Sequence, residues 1–394
     1  MRKTQADNVY VNMDILKHPD SLYRFQRIIE CISTSYINYL SKEQMLEKVL
    51  ENYNLFDNNR TGAKLAEPIF LFDEFDFKRQ NIDYSKCLSS DGFNFADLRD
   101  QLQLHKEHKV YCNSAYEIHS VFGCLHRCTY CHIGPTITMM LNIEDLIKQV
   151  GCLMDKTPWQ KLYKYDNQSD ILLFEPEYDA VRPLIEFFAG REREYLMLYS
   201  KSDNIDSILD LEHNGHTIAC WTLSPTSVVE GFELGTPFAA ERILAAEKCE
   251  NNGYPVRFRF SPIIPIKGWQ DQYDEIINLV FDKTSPDIIT IQSLCHMNFG
   301  QAKKALDLDL IEPYFISQMR QDHQTHQYEL FSVDARVEMF SFILERINFH
   351  SKRRNKQVKT SLCLETKEVW EKLKSKLSTT LPNQLCACAP FSVP

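Results

Sequence analysis

Three cysteines stand close together in the segment GCLHRCTYCHIG, which runs from Gly123 to Gly134. They are Cys124, Cys128 and Cys131, with the spacing Cys-x3-Cys-x2-Cys. Three thiolates on one short loop can each bind one iron of a cubane, so the fourth iron is left open to a small molecule. Sulfur ligands also suit zinc, but a structural zinc needs a fourth ligand, for which His126 and His132 are the nearby candidates. The segment therefore predicts a [4Fe-4S] cluster, with zinc as the alternative.

Strand-like and helical segments alternate around these cysteines. The strand-like segments are AYEIHSVFG, which runs into the cysteines, and then DILLFEP, YLMLYSK, HTIACWTLSP, VRFRFSPIIP and DIITIQSLC. The clearest helical segment between them, TPFAAERILAAEKCENNG, has Thr236 as a cap, Pro237 in its first turn and Gly253 after its end. Alternating strands and helices imply parallel pairing with right-handed crossovers. Six such units predict an α/β fold, a partial (β/α)6 TIM-like barrel, with a doubly wound sheet as the alternative. The chemistry of such barrels lies at the carboxyl ends of the strands, where the cysteine segment falls.

The barrel predicts a division of the chain into three parts. Residues 1–110 form a helical or mixed N-terminal extension, in which LYRFQRIIECI and SKEQMLEKVLENY have helical spacing and PIFLFDEFDF resembles a strand. Residues 111–320 form the partial barrel. Residues 321–394 form a short C-terminal extension with a cysteine-containing tail.

The composition is that of a globular protein. The chain has 394 residues, of which 44% are hydrophobic and 25% are charged, close to the usual averages. It has no apolar run long enough to span a membrane and no secretory signal at its N-terminus, so we expect a cytoplasmic protein with reduced thiols and no membrane partner. The net charge of −10 does not favour nucleic acid as a partner, because phosphate binding needs a basic face. One basic run, SKRRNKQVK at 351–359, is either such a face or a solvated loop.

The cysteine spacing resembles that of the radical S-adenosylmethionine (SAM) superfamily, and the aromatic residue before the third cysteine is present as Tyr130. From about residue 116 to 269 the chain is also similar to the spore photoproduct lyase group. The matching segments are CTYCHIG, NIEDL, FEPEYD, SKSDNIDSILDLEHNG, WTLSP, FELGTP, AAEKCENNGYP and PIIPIKGW. The resemblance implies a [4Fe-4S] cluster, bound SAM, an electron donor such as flavodoxin or ferredoxin, and a 5′-deoxyadenosyl radical that abstracts hydrogen from a substrate.

The resemblance also implies roles for four further residues. Glu175 matches the position that binds the SAM amino group, and Lys201 matches a lysine near the SAM carboxylate, which a point cation suits. Thr222 or Ser224 matches the position that hydrogen-bonds the ribose or the carboxylate. The structural alternatives are that Glu175 caps the following helix and that Lys201 is a surface residue.

Two departures from the lyase pattern affect the radical-quenching residues. The lyase carries a cysteine after its second strand, where this chain has EPEYD at 175–179, and a tyrosine after the third cluster cysteine, where this chain has His132. A replacement hydrogen donor is predicted in the tail QLCACAP, at Cys386 or Cys388, with Tyr178 and Tyr130 as the next candidates. The tail thiols are otherwise bystanders, or bind a second metal centre together with Cys363.

Three functions therefore stand as hypotheses. The first is a radical SAM lyase-like reaction on damaged nucleic acid, and the second is radical modification of a peptide or small metabolite. The third is a non-enzymatic zinc or iron–sulfur binding module. A separate and weaker metal-binding hypothesis concerns His323 and His326, which could share one helix face.

Overall fold

The computed structural model describes residues 1–6, 8–57, 67–77, 87–89, 93–320, 328–381 and 383–394. The strands in this part of the chain are β1 (Thr4–Gln5), β2 (Asn8–Asn12), β3 (Ile32–Ser33), β4 (Ile37–Leu40), β5 (Ile69–Asp73), β6 (Ala96–Arg99), β7 (Val110–Tyr111), β8 (Ala115–Ile118), β9 (Val121–Phe122), β10 (Arg127–Cys128), β11 (Thr136–Met140), β12 (Leu162–Tyr165), β13 (Tyr195–Ser200), β14 (Thr217–Thr222), β15 (Glu233–Leu234), β16 (Val256–Ile263), β17 (Ile288–Ser293), β18 (Lys359–Leu362) and β19 (Glu365–Thr366). The α-helices are α1 (Pro19–Ile29), α2 (Lys42–Asp57), α3 (Gln101–His108), α4 (Ile143–Lys156), α5 (Val181–Ala189), α6 (Thr226–Phe232), α7 (Ala239–Asn251), α8 (Trp269–Lys283), α9 (Phe299–Ala305), α10 (Pro313–Ser317), α11 (Val333–Arg353) and α12 (Lys367–Leu373).

The main sheet is a curved set of parallel strands in the order β18-β17-β16-β14-β13-β12-β8, with β6 added antiparallel at the β8 edge. Helices connect most successive strands and pack on the outer face of the sheet, while strand side chains and the C-terminal tail fill its inner face. Strands buried on both faces have apolar residues at consecutive positions, as in β14 and β17, whose residues are all buried. The predicted partial barrel is confirmed, and β18 extends its six parallel strands by a seventh.

One predicted strand is wrong. The segment DILLFEP forms a 3-10 helix at Ile171–Phe174, and the second barrel strand is instead β12, of sequence LYKY. Both segments are buried, so their apolar content alone does not distinguish them. The pattern of β12 is interrupted by Lys164, which is buried inside the barrel and donates to Glu117 on β8. A strand that carries a charged residue at an interior position is therefore not recognised from its pattern of apolar residues.

The N-terminal extension contains a second sheet, in the order β4-β2-β5-β11-β9. Its strand β5 confirms the prediction for PIFLFDEFDF, and α1 and α2 lie in the two segments with helical spacing. Strands β9 and β11 belong to this sheet although they follow β8 in the chain, and they flank the cysteine segment. The extension therefore supports the cysteine loop directly, while the division at residue 110 stays a prediction.

The C-terminal tail closes the barrel at the amino ends of its strands. Cys386, Ala387, Cys388 and Ala389 pack against strand residues that point into the barrel, namely Leu162, Met197, Ile218, Cys220 and Ile288. Arg257 on β16 donates to the carbonyl oxygens of Ala387 and Ser392, each at 2.7 Å. The tail is thus a plug at the end of the barrel opposite the cysteine loop. In the described part of the chain, none of the helices has the length and apolar character needed to cross a membrane.

Candidate active site

A cleft of about 470 Å³ opens at the carboxyl ends of the barrel strands. All three cysteines of the Cys-x3-Cys-x2-Cys segment line it, together with Tyr130 and Lys201. The opposite wall comes from β16, β17 and the segment after β18, and includes Arg259, Gln292 and Cys363. The cysteines predicted to bind a cluster therefore face a space large enough for a small molecule.

The cysteine loop is held at its ends and in its middle. At the ends, the Cys124 N–H donates to the Gly134 carbonyl oxygen at 3.0 Å, which closes the loop on itself. In the middle, β10 pairs with β15, which places Cys128 opposite Glu233. Gly123 opens the loop with a φ of +105°, and a Cβ there would lie 2.0 Å from the Thr136 carbonyl oxygen. Only glycine fits this position without backbone movement.

Two thiols of the loop, those of Cys124 and Cys128, lie in surroundings that disfavour bare thiolates. Burial raises the pKa of Cys124 well above its ordinary value. Burial also raises the pKa of Cys128 to about 12, although Lys201 opposes this shift. A thiolate in such surroundings needs a bound cation for charge compensation, and metal binding displaces the thiol proton. The donor set thus fits a metal–sulfur group.

The arrangement favours a cubane over a single zinc ion. Each ring nitrogen of His126 already has a partner: Nδ1 contacts the Gly235 carbonyl oxygen at 3.1 Å, and Nε2 contacts Asp170 Oδ2 at 3.2 Å. Among the described residues, no group of three or more His, Cys, Asp or Glu side chains is arranged to hold a single metal ion. In a cubane each cysteine binds a different iron, so the thiols stand farther apart than around one ion.

A fully buried carboxylate, that of Glu233, is the common hydrogen-bond acceptor of the polar side chains beneath the loop. Its Oε1 accepts from the Tyr130 hydroxyl, the Lys201 ammonium and the Ser224 hydroxyl, each at 2.6 Å. Its Oε2 accepts from Arg242 Nη2 at 2.8 Å. Burial alone would raise the pKa of Glu233, but the cations of Lys201 and Arg242 hold it well below its usual range. Three of the predicted site residues therefore meet at one carboxylate.

Sequence reasoning missed both Glu233 and Asp170. Glu233 lies in the FELGTP segment that carries the family resemblance, which is the signal that could have found it. Asp170 lines the cleft and accepts from the Ser200 hydroxyl at 2.6 Å and from the Lys201 N–H at 2.7 Å. It lies after β12, so the misassigned strand concealed its position at a strand end.

Glu175 and Thr222 do not line this cleft. The Glu175 carboxylate is buried and accepts from the N–H groups of Ala180 and Val181, so it caps α5. Burial raises the pKa of Glu175 to about 7. Thr222 is also buried and donates to the Tyr199 hydroxyl at 2.9 Å. The roles of both residues in binding SAM stay predictions.

The structure does not bring Cys386 and Cys388 to the cluster-bearing face. Both thiols lie in the plug at the amino ends of the strands, 3.9 Å from each other. Cys388 Sγ lies 4.0 Å from Nη1 of Arg99, a residue that lines the cleft. The tail thiols are thus one layer below the cleft, whereas Cys363 and Cys295 line it. His323 and His326 lie outside the described residues.

A partial α/β barrel whose first strand leads into a Cys-x3-Cys-x2-Cys loop defines a radical SAM protein. Within that class, the chain belongs to the spore photoproduct lyase family, whose family model matches residues 98–330. Spore photoproduct lyase of Bacillus subtilis (strain 168) is 26% identical over 205 residues, which cover 50% of this chain and 60% of that protein. The enzyme of the same name from Clostridium acetobutylicum is 24% identical over 198 residues, which cover 48% and 59%. The chain thus spans about three fifths of the length of these curated relatives.

Solved structures of spore photoproduct lyase share the fold. A variant with bound AdoMet and dinucleoside spore photoproduct superposes with a TM-score of 0.64 at 17% identity, covering 93% of this chain and 100% of that one. A second complex with the dinucleoside spore photoproduct gives a TM-score of 0.63 at 16% identity, with 92% and 99% covered. At this identity the likeness establishes the common fold, in agreement with the predicted partial barrel.

Proposed function

We propose that the chain is a radical SAM enzyme of the lyase type that holds a [4Fe-4S] cluster through Cys124, Cys128 and Cys131. The observation that carries the proposal is that these three thiols line one cleft, at the carboxyl ends of a partial barrel, beside Lys201. The chemistry that such a cluster supplies is one-electron reduction of SAM to methionine and a 5′-deoxyadenosyl radical.

The residues around the cysteines suit the methionine end of SAM. Lys201 Nζ is held by Glu233 at 2.6 Å and by the Tyr130 hydroxyl at 2.7 Å. A cation fixed in this way has little conformational freedom to lose when it meets a carboxylate. Among the described residues that line the cleft, only Asp170 has a carboxylate side chain. A carboxylate suits an ammonium group. We assign Lys201 to the SAM carboxylate and Asp170, in place of Glu175, to its amino group.

Two proposals for the substrate remain in competition. The family and the dinucleoside spore photoproduct in the related structures support a lyase-like reaction on damaged nucleic acid. The net charge of −10 and the absence of a cysteine from 175–179 support radical modification of a peptide or small metabolite. For the hydrogen donor, the cleft-lining Cys363 and Cys295 join the earlier candidates, which are Tyr130, Tyr178, Cys386 and Cys388. A flavodoxin or ferredoxin as electron donor and a cytoplasmic location belong to the same proposal.

Anaerobic reconstitution with iron and sulfide tests the cluster. We expect about four irons and four sulfides per chain, and 5′-deoxyadenosine on reduction in the presence of SAM. The triple variant Cys124→Ala, Cys128→Ala, Cys131→Ala should lose the iron and the SAM cleavage. The matched control is Cys152→Ala, an exposed cysteine on α4, which should keep both. Full iron in the triple variant would refute the assignment, and a loaded wild-type protein that never cleaves SAM would favour the binding-module hypothesis.

A further inference from the structure

Three cationic side chains meet in the barrel interior beneath the cysteine loop. They are Arg99 at the end of β6, Lys164 on β12 and Arg259 on β16, and all three line the deep end of the cleft. Lys164 and Arg259 are 2% and 5% exposed. We call these three residues the cationic floor.

The floor contains more positive than negative charge. Glu117 pairs with both Arg99 and Lys164. Three cations against this one carboxylate leave two positive charges without a carboxylate partner. Buried charges carry a large desolvation penalty unless they are paired, so the groups around each of the two remaining cations decide whether it is compensated.

Thiols supply part of the compensating negative charge on the side away from the cleft. Cys112 Sγ lies 3.5 Å from Arg99 Nη1. A hydrogen bond from Cys363 and the Arg99 cation lower the pKa of Cys112 to about 6. Cys388 Sγ lies 4.0 Å from the same Nη1 atom. The hydrogen bond from Cys386 and the cations of the floor hold the pKa of Cys388 well below its ordinary value. Two thiolates, Cys112 just before β8 and Cys388 in the plug, can therefore compensate Arg99 and lower the excess positive charge of the floor.

Arg259 has no carboxylate partner among the described residues, and its guanidinium is only partly hydrogen-bonded. Its Nη2 donates to Gln292 Oε1 at 3.1 Å and lies 3.4 Å from the Ser261 hydroxyl and 3.5 Å from Cys363 Sγ. The hydrogen bond with Cys112, together with burial, raises the pKa of Cys363 well above its ordinary value, so this thiol stays neutral. The Nε of Arg259 is buried without a hydrogen-bond partner. Such an unsatisfied donor on a buried cation is the feature expected of a site that a ligand completes.

The ring of Tyr199 lies between Lys164, which pairs with Glu117, and Arg259, which has no carboxylate partner among the described residues. Lys164 Nζ lies 4.4 Å and Arg259 Cζ lies 5.1 Å from its centroid. The ring stabilises both cations through its quadrupole but carries no net charge to balance them. Lys164, Tyr199 and Arg259 all line the cleft, so an anion would reach them from the cleft.

We propose that Lys164 and Arg259 form a binding subsite for an anionic group of the substrate, a carboxylate or a phosphate, at the bottom of the cleft. The assignment to the substrate rests on the proposed function, whereas the anion site itself does not. A substrate that fills this site carries negative charge deep into the barrel.

Thermal unfolding of the purified full chain, without SAM, tests the subsite. Phosphate, acetate and chloride are compared as sodium salts at constant ionic strength. A ligand that binds the folded state raises its stability in a saturable way, so phosphate or acetate should raise the Tm above the chloride value. The anion that acts at the lower concentration identifies phosphate or carboxylate as the preferred group. Equal unfolding temperatures in all three salts would overturn the proposal.

Variants locate the effect. Arg259→Gln should weaken anion binding about tenfold, the value of one charge-assisted hydrogen bond. Arg353→Gln, at an exposed position at the end of α11, should respond as the wild type does. An unchanged response of Arg259→Gln would overturn the proposal, because the anion would then bind elsewhere.

The pH dependence gives a readout that does not require an Arg259 variant to fold. Burial and the neighbouring Arg99 and Arg259 lower the pKa of Lys164 to about 8. The groups that face Lys164 are Glu117 from β8, Arg99 from β6, Tyr199 from β13, Arg259 from β16 and Cys388 from the plug. A bound anion favours the charged ammonium, so affinity should fall above pH 8 by up to about tenfold per pH unit.

Lys164→Met should remove this pH dependence, and a variant that retained it would count against the subsite. SAM cleavage by the reconstituted protein is measured separately. Anion binding without SAM cleavage would contradict the proposed function alone, and SAM cleavage without anion binding would contradict the subsite alone.

Discussion

Replacement of Glu233 by Gln tests whether one buried carboxylate holds the site together. Glutamine keeps nearly the same shape and retains a carbonyl oxygen for the Tyr130 and Ser224 hydroxyls, so the change removes mainly the charge. Two cations then lose their partner, Lys201 at the cleft and Arg242, which is fully buried. Removing one partner of a buried ion pair costs about 3–5 kcal/mol. We take the lower end, about 3 kcal/mol, because Arg242 keeps hydrogen bonds to the carbonyl oxygens of Thr222 and Pro237.

Urea unfolding followed by circular dichroism measures this loss. A change of about 3 kcal/mol is roughly a hundredfold in the unfolding equilibrium constant. Ser224→Ala is the matched control, because it removes one hydrogen bond to the same carboxylate and should cost about 1 kcal/mol. A loss in Glu233→Gln no larger than that of the control would refute the central role of the charge.

The pH dependence of stability provides a second measurement on the same variant. The pKa of Glu233 is lower in the folded than in the unfolded chain, where it is about 4.3. Its contribution to stability is therefore fully present above that value and is lost as pH falls toward the folded pKa. The wild type should lose stability between about pH 5 and 3 more steeply than Glu233→Gln. Identical slopes would show that the ion pairs of Glu233 contribute nothing to the stability of the fold.

Two further predictions concern the loop and the tail. Gly123→Ala should destabilise the protein by about 1–3 kcal/mol more than Gly215→Ala, because both glycines have positive φ but only Gly123 lies against backbone atoms. Iron loading after reconstitution should fall only in Gly123→Ala. Equal iron loading of the two variants would contradict the steric argument. Replacing both Cys386 and Cys388 by Ala should leave SAM cleavage intact, because both thiols lie in the plug rather than in the cleft. Loss of SAM cleavage in that double variant would contradict the separation of the plug from the cleft.

The cluster loop and five of the six predicted barrel strands could be found from sequence because their signals are local. Cys124, Cys128 and Cys131 lie within eight residues, and the central strands are continuous apolar runs. The strand β12 was missed because Lys164 breaks its pattern, and the reason for a lysine there is a contact with Glu117, 47 positions earlier. A charge whose partner lies on another strand looks like a surface residue until the strands are assembled.

The site residues also divide into those that a local motif reveals and those that depend on contacts between distant segments. Tyr130 and Lys201 were found through motifs, but their common partner Glu233 is 103 positions from the first and 32 from the second. Glu175 shows how a motif position and a local structural use can compete, since its carboxylate caps the helix that follows it. The cationic floor could not be predicted, because its three members come from three strands and no motif contains them.

The second sheet has a consequence for the order in which the molecule assembles. Strand β11, which follows the cysteine loop, pairs in parallel with β5, and β5 pairs with β2 near the start of the chain. These contacts join residues 67 positions apart, such as Ile69 and Thr136, and closing long segments makes such pairing slow relative to local helix formation. The cysteine loop, which lies between β9 and β11, therefore reaches its final geometry only after β11 has paired with β5. We expect the three thiols to be poorly arranged for a shared cluster in any folding intermediate in which this long-range pairing is missing.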